Sequence, residues 1–125
     1  MAEKLPVTPD LLVELELIKR AKYAYLRMVD QHRFDDLHEV MTDDCTAAYS
    51  DGEYSFDDLA GIIAFLHENM GRNQFLSSHA CHHPEIDIYD DGTATGILKL
   101  EDQVIITDFD VNLRGAAFYE DRYVK

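Results

Sequence analysis

The chain has 125 residues, with 11 Lys and Arg against 25 Asp and Glu, a formal net charge of −14 and 46% apolar residues. That apolar content is enough for a single domain spanning 1–125 that folds without a disulfide or a structural metal. So acidic a chain lacks the basic footprint that displaces counterions from nucleic acid, and an anionic membrane surface repels it for the same reason.

Thr8-Pro9-Asp10 reads as a helix start: Thr8 can cap, Pro9 suits the first helical position and Asp10 favours the positive end of the dipole. Leu11, Leu15, Ile18, Tyr25, Leu26 and Val29 then recur at helical spacing, with Lys19, Arg20, Arg27 and other charged residues on the opposite face. Phe34, Leu37, Val40 and Met41 predict a shorter helical piece that ends at Thr42-Asp43-Asp44. Cys45 to Tyr49 is β-compatible, and Ser50-Asp51-Gly52 reads as a turn. Ser55 and Asp58 resemble a capping box ahead of a second helix carrying Leu59, Ile62, Ile63, Leu66 and Met70, which Gly71 stops.

Beyond Gly71 the apolar period changes to two. Ile86 and Ile88 alternate with polar residues, Asp91-Gly92 signals a hairpin, and Ala94, Gly96, Leu98 and Leu100 share one face of the returning strand. Val104 to Ile106 continue as β, Thr107-Asp108 is a loop, and a last strand lies near Leu113 to Val124. Helices followed by an antiparallel meander predict an α+β fold with the helices on one face of a curved sheet.

The densest polar feature is Ser77-Ser78-His79-Ala80-Cys81-His82-His83-Pro84-Glu85. In a strand His79, Cys81 and His83 share one face and His82 takes the other, unless Pro84 breaks the register. A strand separates His79 and His83 by about 13 Å, too far to share one metal ion. On the first helix Tyr25 and Asp30 are about 140° apart around the axis. They can flank a pocket mouth if the helix ends between them, although a tyrosine in an apolar stripe is ordinarily core and an aspartate at a helix end ordinarily solvated. Asp102 ends the strand paired with the histidine-bearing one. The stretch 34–71 holds ten acidic residues and no Lys or Arg, a solubilising run.

Other chemistries find no support. The chain has no phosphate-binding glycine motif and no Gly-x-Ser-x-Gly elbow. No helix start is predicted near Cys81 to make it a thiolate. Cys45 and Cys81 form no CxxC pair and are expected to be reduced, in a cytoplasmic protein. The opening residues 1–10 show no secretory signal pattern, and no apolar run approaches the roughly 20 residues of a membrane span.

Several segments together resemble the SnoaL-like branch of the nuclear-transport-factor-2-like (NTF2-like) superfamily. They are Arg20-Ala-Lys-Tyr-Ala-Tyr25, Phe34-Asp-Asp-Leu37 and Met41-Thr-Asp-Asp44 early in the chain, then His79-Ala-Cys-His82-His-Pro84-Glu-Ile86, Thr93-Ala-Thr-Gly96 and Leu100-Glu-Asp102. Leu113-Arg-Gly115 and Tyr119 to Lys125 are similar to that family's penultimate strand. The resemblance implies a cone-shaped α+β barrel, with the N-terminal helices packed in the concave face of a strongly curved, mixed but mostly antiparallel sheet around one deep apolar pocket. Members include bile-acid 7α-dehydratase, scytalone dehydratase and polyketide cyclases. Matched by motif to the bile-acid dehydratase type, the working residues fall on Tyr25, Asp30, His79 and Asp102, with His82 a competing match for the histidine. Tyr49, Phe65, His82 and Leu98 are expected to bind substrate.

The family's final strand, and a basic residue it contributes, have no counterpart after Tyr123-Val-Lys125, so an exposed sheet edge is expected to need cover. The implied function is a dehydratase-like lyase that abstracts a proton beside a carbonyl of a hydrophobic, steroid- or polyketide-like substrate, with no cofactor and no metal. Isomerase or cyclase chemistry, or ligand binding alone, would use the same pocket. The expected assembly is a homodimer or homotrimer through the sheet, with neither nucleic acid nor membrane as a partner.

Overall fold

The structure is a computed structural model describing residues 1–125. Helix α1 spans Pro9–Asp30, and the Thr8 hydroxyl caps it by accepting from the Leu11 N–H. A 3₁₀ turn at Phe34–Glu39 follows, then strands β1 (Ala47–Tyr49) and β2 (Tyr54–Phe56), helix α2 (Leu59–Met70), and three 14-residue strands: β3 (Phe75–Ile88), β4 (Thr93–Ile106) and β5 (Val111–Val124). A short 3₁₀ turn at Thr107–Phe109 joins β4 to β5.

Every strand pairing is antiparallel. β3, β4 and β5 form one sheet in that order, and β1 pairs with β2 in a separate two-stranded sheet. The fold is thus α+β, as expected, with an open sheet whose β5 edge is unpaired. Asp91 and Gly92 turn the β3–β4 hairpin: Gly92 sits at φ +85°, and the Asp91 carboxylate accepts from both the backbone and the hydroxyl of Thr93.

Strand β2 departs from the sequence expectation. Ser50, Asp51 and Gly52 all take positive φ, which folds the chain back so that Ser55 pairs with Ala48. The Ser55 hydroxyl therefore donates to the Gly52 carbonyl, and Asp58 alone caps α2 by accepting from the Gly61 N–H.

Met28, Val29, Phe34, Leu37, Leu59, Ile62 and Leu66 form the core where α1, the 3₁₀ turn and α2 meet. Phe34, Leu37, Ile62 and Leu98 are all but inaccessible, and burying such a side chain stabilises the fold by about 1.5–3 kcal/mol. The inner sheet face carries Ala94, Gly96, Leu98, Leu100 and Asp102 of β4, opposite Tyr123, Asp121, Tyr119, Ala117 and Gly115 of β5. This face receives α1. The outer face leaves Leu76, Ile97 and Phe118 exposed.

A charged side chain breaks the expected division of α1. Lys22 is buried, although the charged residues were expected to face away from the apolar stripe. Its spacing of four and seven from Leu26 and Val29 sets it on their face, and Asp121 makes the position tolerable by pairing with it.

Candidate active site

Asp30 is the last residue of α1 and stands against the free edge of β3. One of its oxygens, Oδ1, accepts from the Ser77 hydroxyl at 2.8 Å and from His79 Nδ1 at 2.6 Å. The other, Oδ2, accepts from the His79 backbone N–H at 2.8 Å. A carboxylate only accepts, so the Nδ1 facing it carries a proton. In the neutral imidazole this leaves Nε2 with its lone pair free. Both side chains are largely shielded, at 13% exposure for His79 and 23% for Asp30. Ser77 is a member of the site that the sequence reading did not single out. Its spacing of two from His79 places it on the same strand face.

Asp102 lies directly across from His79 in the β3–β4 register, and Gly115 lies directly across from Asp102 on β5. The fit is close: a Cβ added at Gly115 would stand 2.5 Å from Asp102 Oδ1. Asp102 does not orient the histidine, because Asp30 already occupies Nδ1.

Tyr25 does not flank a mouth beside Asp30. The helix runs on through Asp30, so about 140° of rotation separates the two side chains. Tyr25 turns inward instead, where its hydroxyl meets that of Tyr49 at 3.4 Å and its ring meets Tyr119 edge-on. Phe65 stacks on Tyr49 and packs against Phe56. Leu98 is fully buried directly across from Tyr119. Burial holds the phenols of Tyr25, Tyr49 and Tyr119 above the ordinary range, and for Tyr25 and Tyr119 the other phenols add to the effect.

Two histidines go elsewhere. His82, expected to line the pocket, is on the outer face, paired across the ladder with Lys99 and 3.4 Å from Glu101. Strand alternation sends it away from His79. His83 adopts φ +51° at a register shift between His82 and Glu85, and this bulge beside Pro84 takes it off the face of His79. Burial raises the Cys81 thiol above its usual range, so it is no activated nucleophile.

Lys22 completes the interior. Its ammonium is 2.8 Å from Asp121, which also accepts from the Tyr123 hydroxyl at 2.9 Å. It lies 3.4 Å from the ring centre of Tyr119 and 4.8 Å from that of Tyr25, contacts worth about 0.5–2 kcal/mol each. These side chains line the interior, where one deep apolar pocket was expected. Two grooves adjoin this region. One, of about 450 Å³, runs between α1 and β3 and is lined by Leu26, Arg27, Asp30 and His79 among others. The other, of about 570 Å³, lies on the outer face of the sheet among Ser78, Ala80, Glu101, Gln103, Arg114 and Ala116, and also touches Asp102 and Gly115.

A family model described as a SnoaL-like domain matches residues 12–125. Solved structures share the architecture. A candidate scytalone dehydratase from Novosphingobium aromaticivorans is 22% identical with a TM-score of 0.85, over 95% of this chain and 78% of that one. ActVI-ORFA from Streptomyces coelicolor is 18% identical with a TM-score of 0.73, over 90% and 86%. A protein of Catenulispora acidiphila, solved in complex with S-DNPA, is 16% identical with a TM-score of 0.74, over 94% and 84%. At such identities the likeness is one of fold.

Proposed function

The chain belongs to the SnoaL-like family of NTF2-like folds, and from that membership and its Asp30–His79 pair we propose that it is a cofactor-independent lyase of the dehydratase kind. The substrate is a hydrophobic hydroxyketone of steroid or polyketide type. His79 Nε2 takes the proton from the carbon beside the carbonyl, and Asp30 stabilises the imidazolium through Nδ1. The Tyr25 hydroxyl, backed by Tyr49, donates to the carbonyl oxygen as it becomes an enolate. The enolate collapses, the C–O bond to the hydroxyl breaks, and the imidazolium returns its proton to the departing oxygen as water. Asp102 accepts a hydrogen bond from that hydroxyl and orients it. Phe65 supplies apolar contact, and Leu98, with no exposed surface, supports Tyr119 from the neighbouring strand.

The observation that carries the proposal is the 2.6 Å contact between His79 Nδ1 and Asp30, reinforced by Ser77 and the His79 backbone. The ligand seen in the Catenulispora structure is consistent with a fold that takes small molecules. Isomerisation or cyclisation would begin with the same proton abstraction. The groove between α1 and β3, which His79 and Asp30 line without Tyr25 or Asp102, favours a second reading, a non-catalytic module that holds its ligand there.

The test is turnover of hydroxyketones, followed by enone absorbance, in wild type and His79→Ala. The variant is expected to fold and bind while losing about 10²–10⁴-fold in rate. Turnover at the wild-type rate would remove His79 from the chemistry.

We further propose that the protein works in the cytoplasm as a homodimer or homotrimer joined through the outer sheet face. The exposed Leu76, Ile97 and Phe118 on that face support the assembly. Two free cysteines suit a reducing compartment, and no helix is long and apolar enough to cross a membrane.

A further inference from the structure

We infer that Lys22 is a positioning residue of this site, laying its ammonium on the faces of Tyr25 and Tyr119 so that their hydroxyls donate more strongly to an oxyanionic ligand, an enolate or a phenolate. The inference deepens the reading of Tyr25 as the donor to the carbonyl oxygen, and rests on that reading only for the identity of the acceptor.

A buried lysine is costly. Taking an ammonium and a carboxylate out of water consumes most of what their pairing returns, and an apolar pair of similar volume is often the more stable solution. Lys22 nonetheless lies on the inward face of α1, 8% exposed, where its neighbours Leu26 and Val29 show that an apolar residue would fit. Its ammonium is held at one spot by Asp121, which Tyr123 steadies in turn. From that spot it reaches both rings, at 3.4 Å and 4.8 Å from their centres.

The ionisable acids facing the Tyr119 phenol from other elements are Tyr25 of α1, Tyr49 of β1, Cys81 of β3 and Asp102 of β4, with Asp121 on its own strand. Each is anionic when ionised and opposes a phenolate. The ammonium of Lys22 is the opposing charge. A cation on a phenol's ring face draws electron density from the ring and sharpens the O–H as a donor. In a water-poor interior that effect is larger than at the surface. The hydroxyls of Tyr25 and Tyr49 are already in contact, so a stronger donor at Tyr25 is presented to a ligand together with its neighbour.

The test places a polyfluorinated tyrosine at position 119, because its phenol ionises at a pH low enough for Lys22 to remain charged. The fluorine resonance then reports ionisation with no substrate present. Three proteins are compared: wild type at position 22, Lys22→Arg, and the neutral pair Lys22→Gln/Asp121→Asn, which keeps a hydrogen bond between the two positions. The phenol is expected to ionise at least tenfold more readily in the first two than in the neutral pair. A reporter at Tyr89, remote from the pair, should not move. Equal ionisation in all three would overturn the inference and leave Lys22 a structural tie between α1 and β5. Should the glutamine version not fold, Lys22→Met/Asp121→Asn takes its place with the same two outcomes. If the reporter shifts while His79→Ala retains full turnover, the lysine's effect stands and the elimination chemistry fails.

Discussion

His79 and Asp30 meet through two separate hydrogen bonds, one from the imidazole Nδ1 at 2.6 Å and one from the backbone N–H at 2.8 Å. The end of α1 is thereby fastened to the edge of β3, and the ring is fixed with Nε2 free. Asp30→Asn puts an amide where a pure acceptor stood. The single amide oxygen can accept from either the ring Nδ1 or the His79 backbone N–H, so the other donor meets an NH2, the ring loses its fixed seat, and turnover should fall by about 10²-fold or more with folding retained. Asp30→Ala also leaves the Ser77 hydroxyl and the His79 N–H without their acceptor, which should cost about 1–3 kcal/mol in denaturant unfolding. Unchanged turnover in Asp30→Asn would separate Asp30 from the chemistry.

Gly115 tests Asp102. A methyl group there would lie 2.5 Å from the Asp102 carboxylate, so Gly115→Ala must displace that side chain. We expect the variant to fold and to lose turnover about tenfold or more, since a displacement near 1 Å in a catalytic group is enough. Gly115→Ala with full activity would show that the position of Asp102 is unimportant.

Alkali should unfold the protein. Tyr25, Tyr49, Tyr119 and Tyr123 are all held neutral by burial, which keeps them above the value of 10.0 that an unfolded phenol takes. Above that pH the folded chain retains protons that the unfolded chain loses. The stability these phenols confer is therefore complete below pH 10 and declines as the pH rises toward their folded values. Lys22, lowered by burial, acts in the opposite direction below its unfolded value of 10.5, but it is one group against four. Tyrosinate absorbance and circular dichroism should change together. Smooth ionisation of every tyrosine near pH 10 with the dichroism intact would contradict the burial.

Phe118 probes the assembly. It is 69% exposed on the outer face, beside Lys99 and across the sheet from His82. Phe118→Glu should yield monomers in sedimentation, with thermal stability little altered apart from the loss of the partner. An unchanged sedimentation coefficient would place the contact on another surface.

Much of the fold was legible in the sequence because its signals are local. Thr8-Pro9, Gly71 and Asp91-Gly92 act within a few residues, and the inner face of β4 follows the alternation of Ala94 to Leu100. Strand β2 was missed because Ser55 suits either a cap or a strand, and only pairing with Ala48 decides between them. The meeting of Asp30 with His79 crosses 49 positions and was accessible through family resemblance alone. Lys22 was misplaced because a lysine is ordinarily solvated, and its partner Asp121 lies on the last strand. Its spacing from Leu26 and Val29 was the available clue. His83 would share the face of His79 only with the register intact through Pro84, and the left-handed residue at the bulge that breaks it is not visible in a two-residue period.

Deuterium exchange tests the central claim most directly, since it isolates the first chemical step from everything after it. A steroid- or polyketide-like hydroxyketone incubated in D₂O with the wild type should lose water, or exchange the hydrogen on the carbon beside the carbonyl, and the same incubation with His79→Ala should do neither. A ligand that binds the wild type yet keeps both its hydroxyl and that hydrogen, or a His79→Ala variant that exchanges as fast as the wild type, would contradict the account.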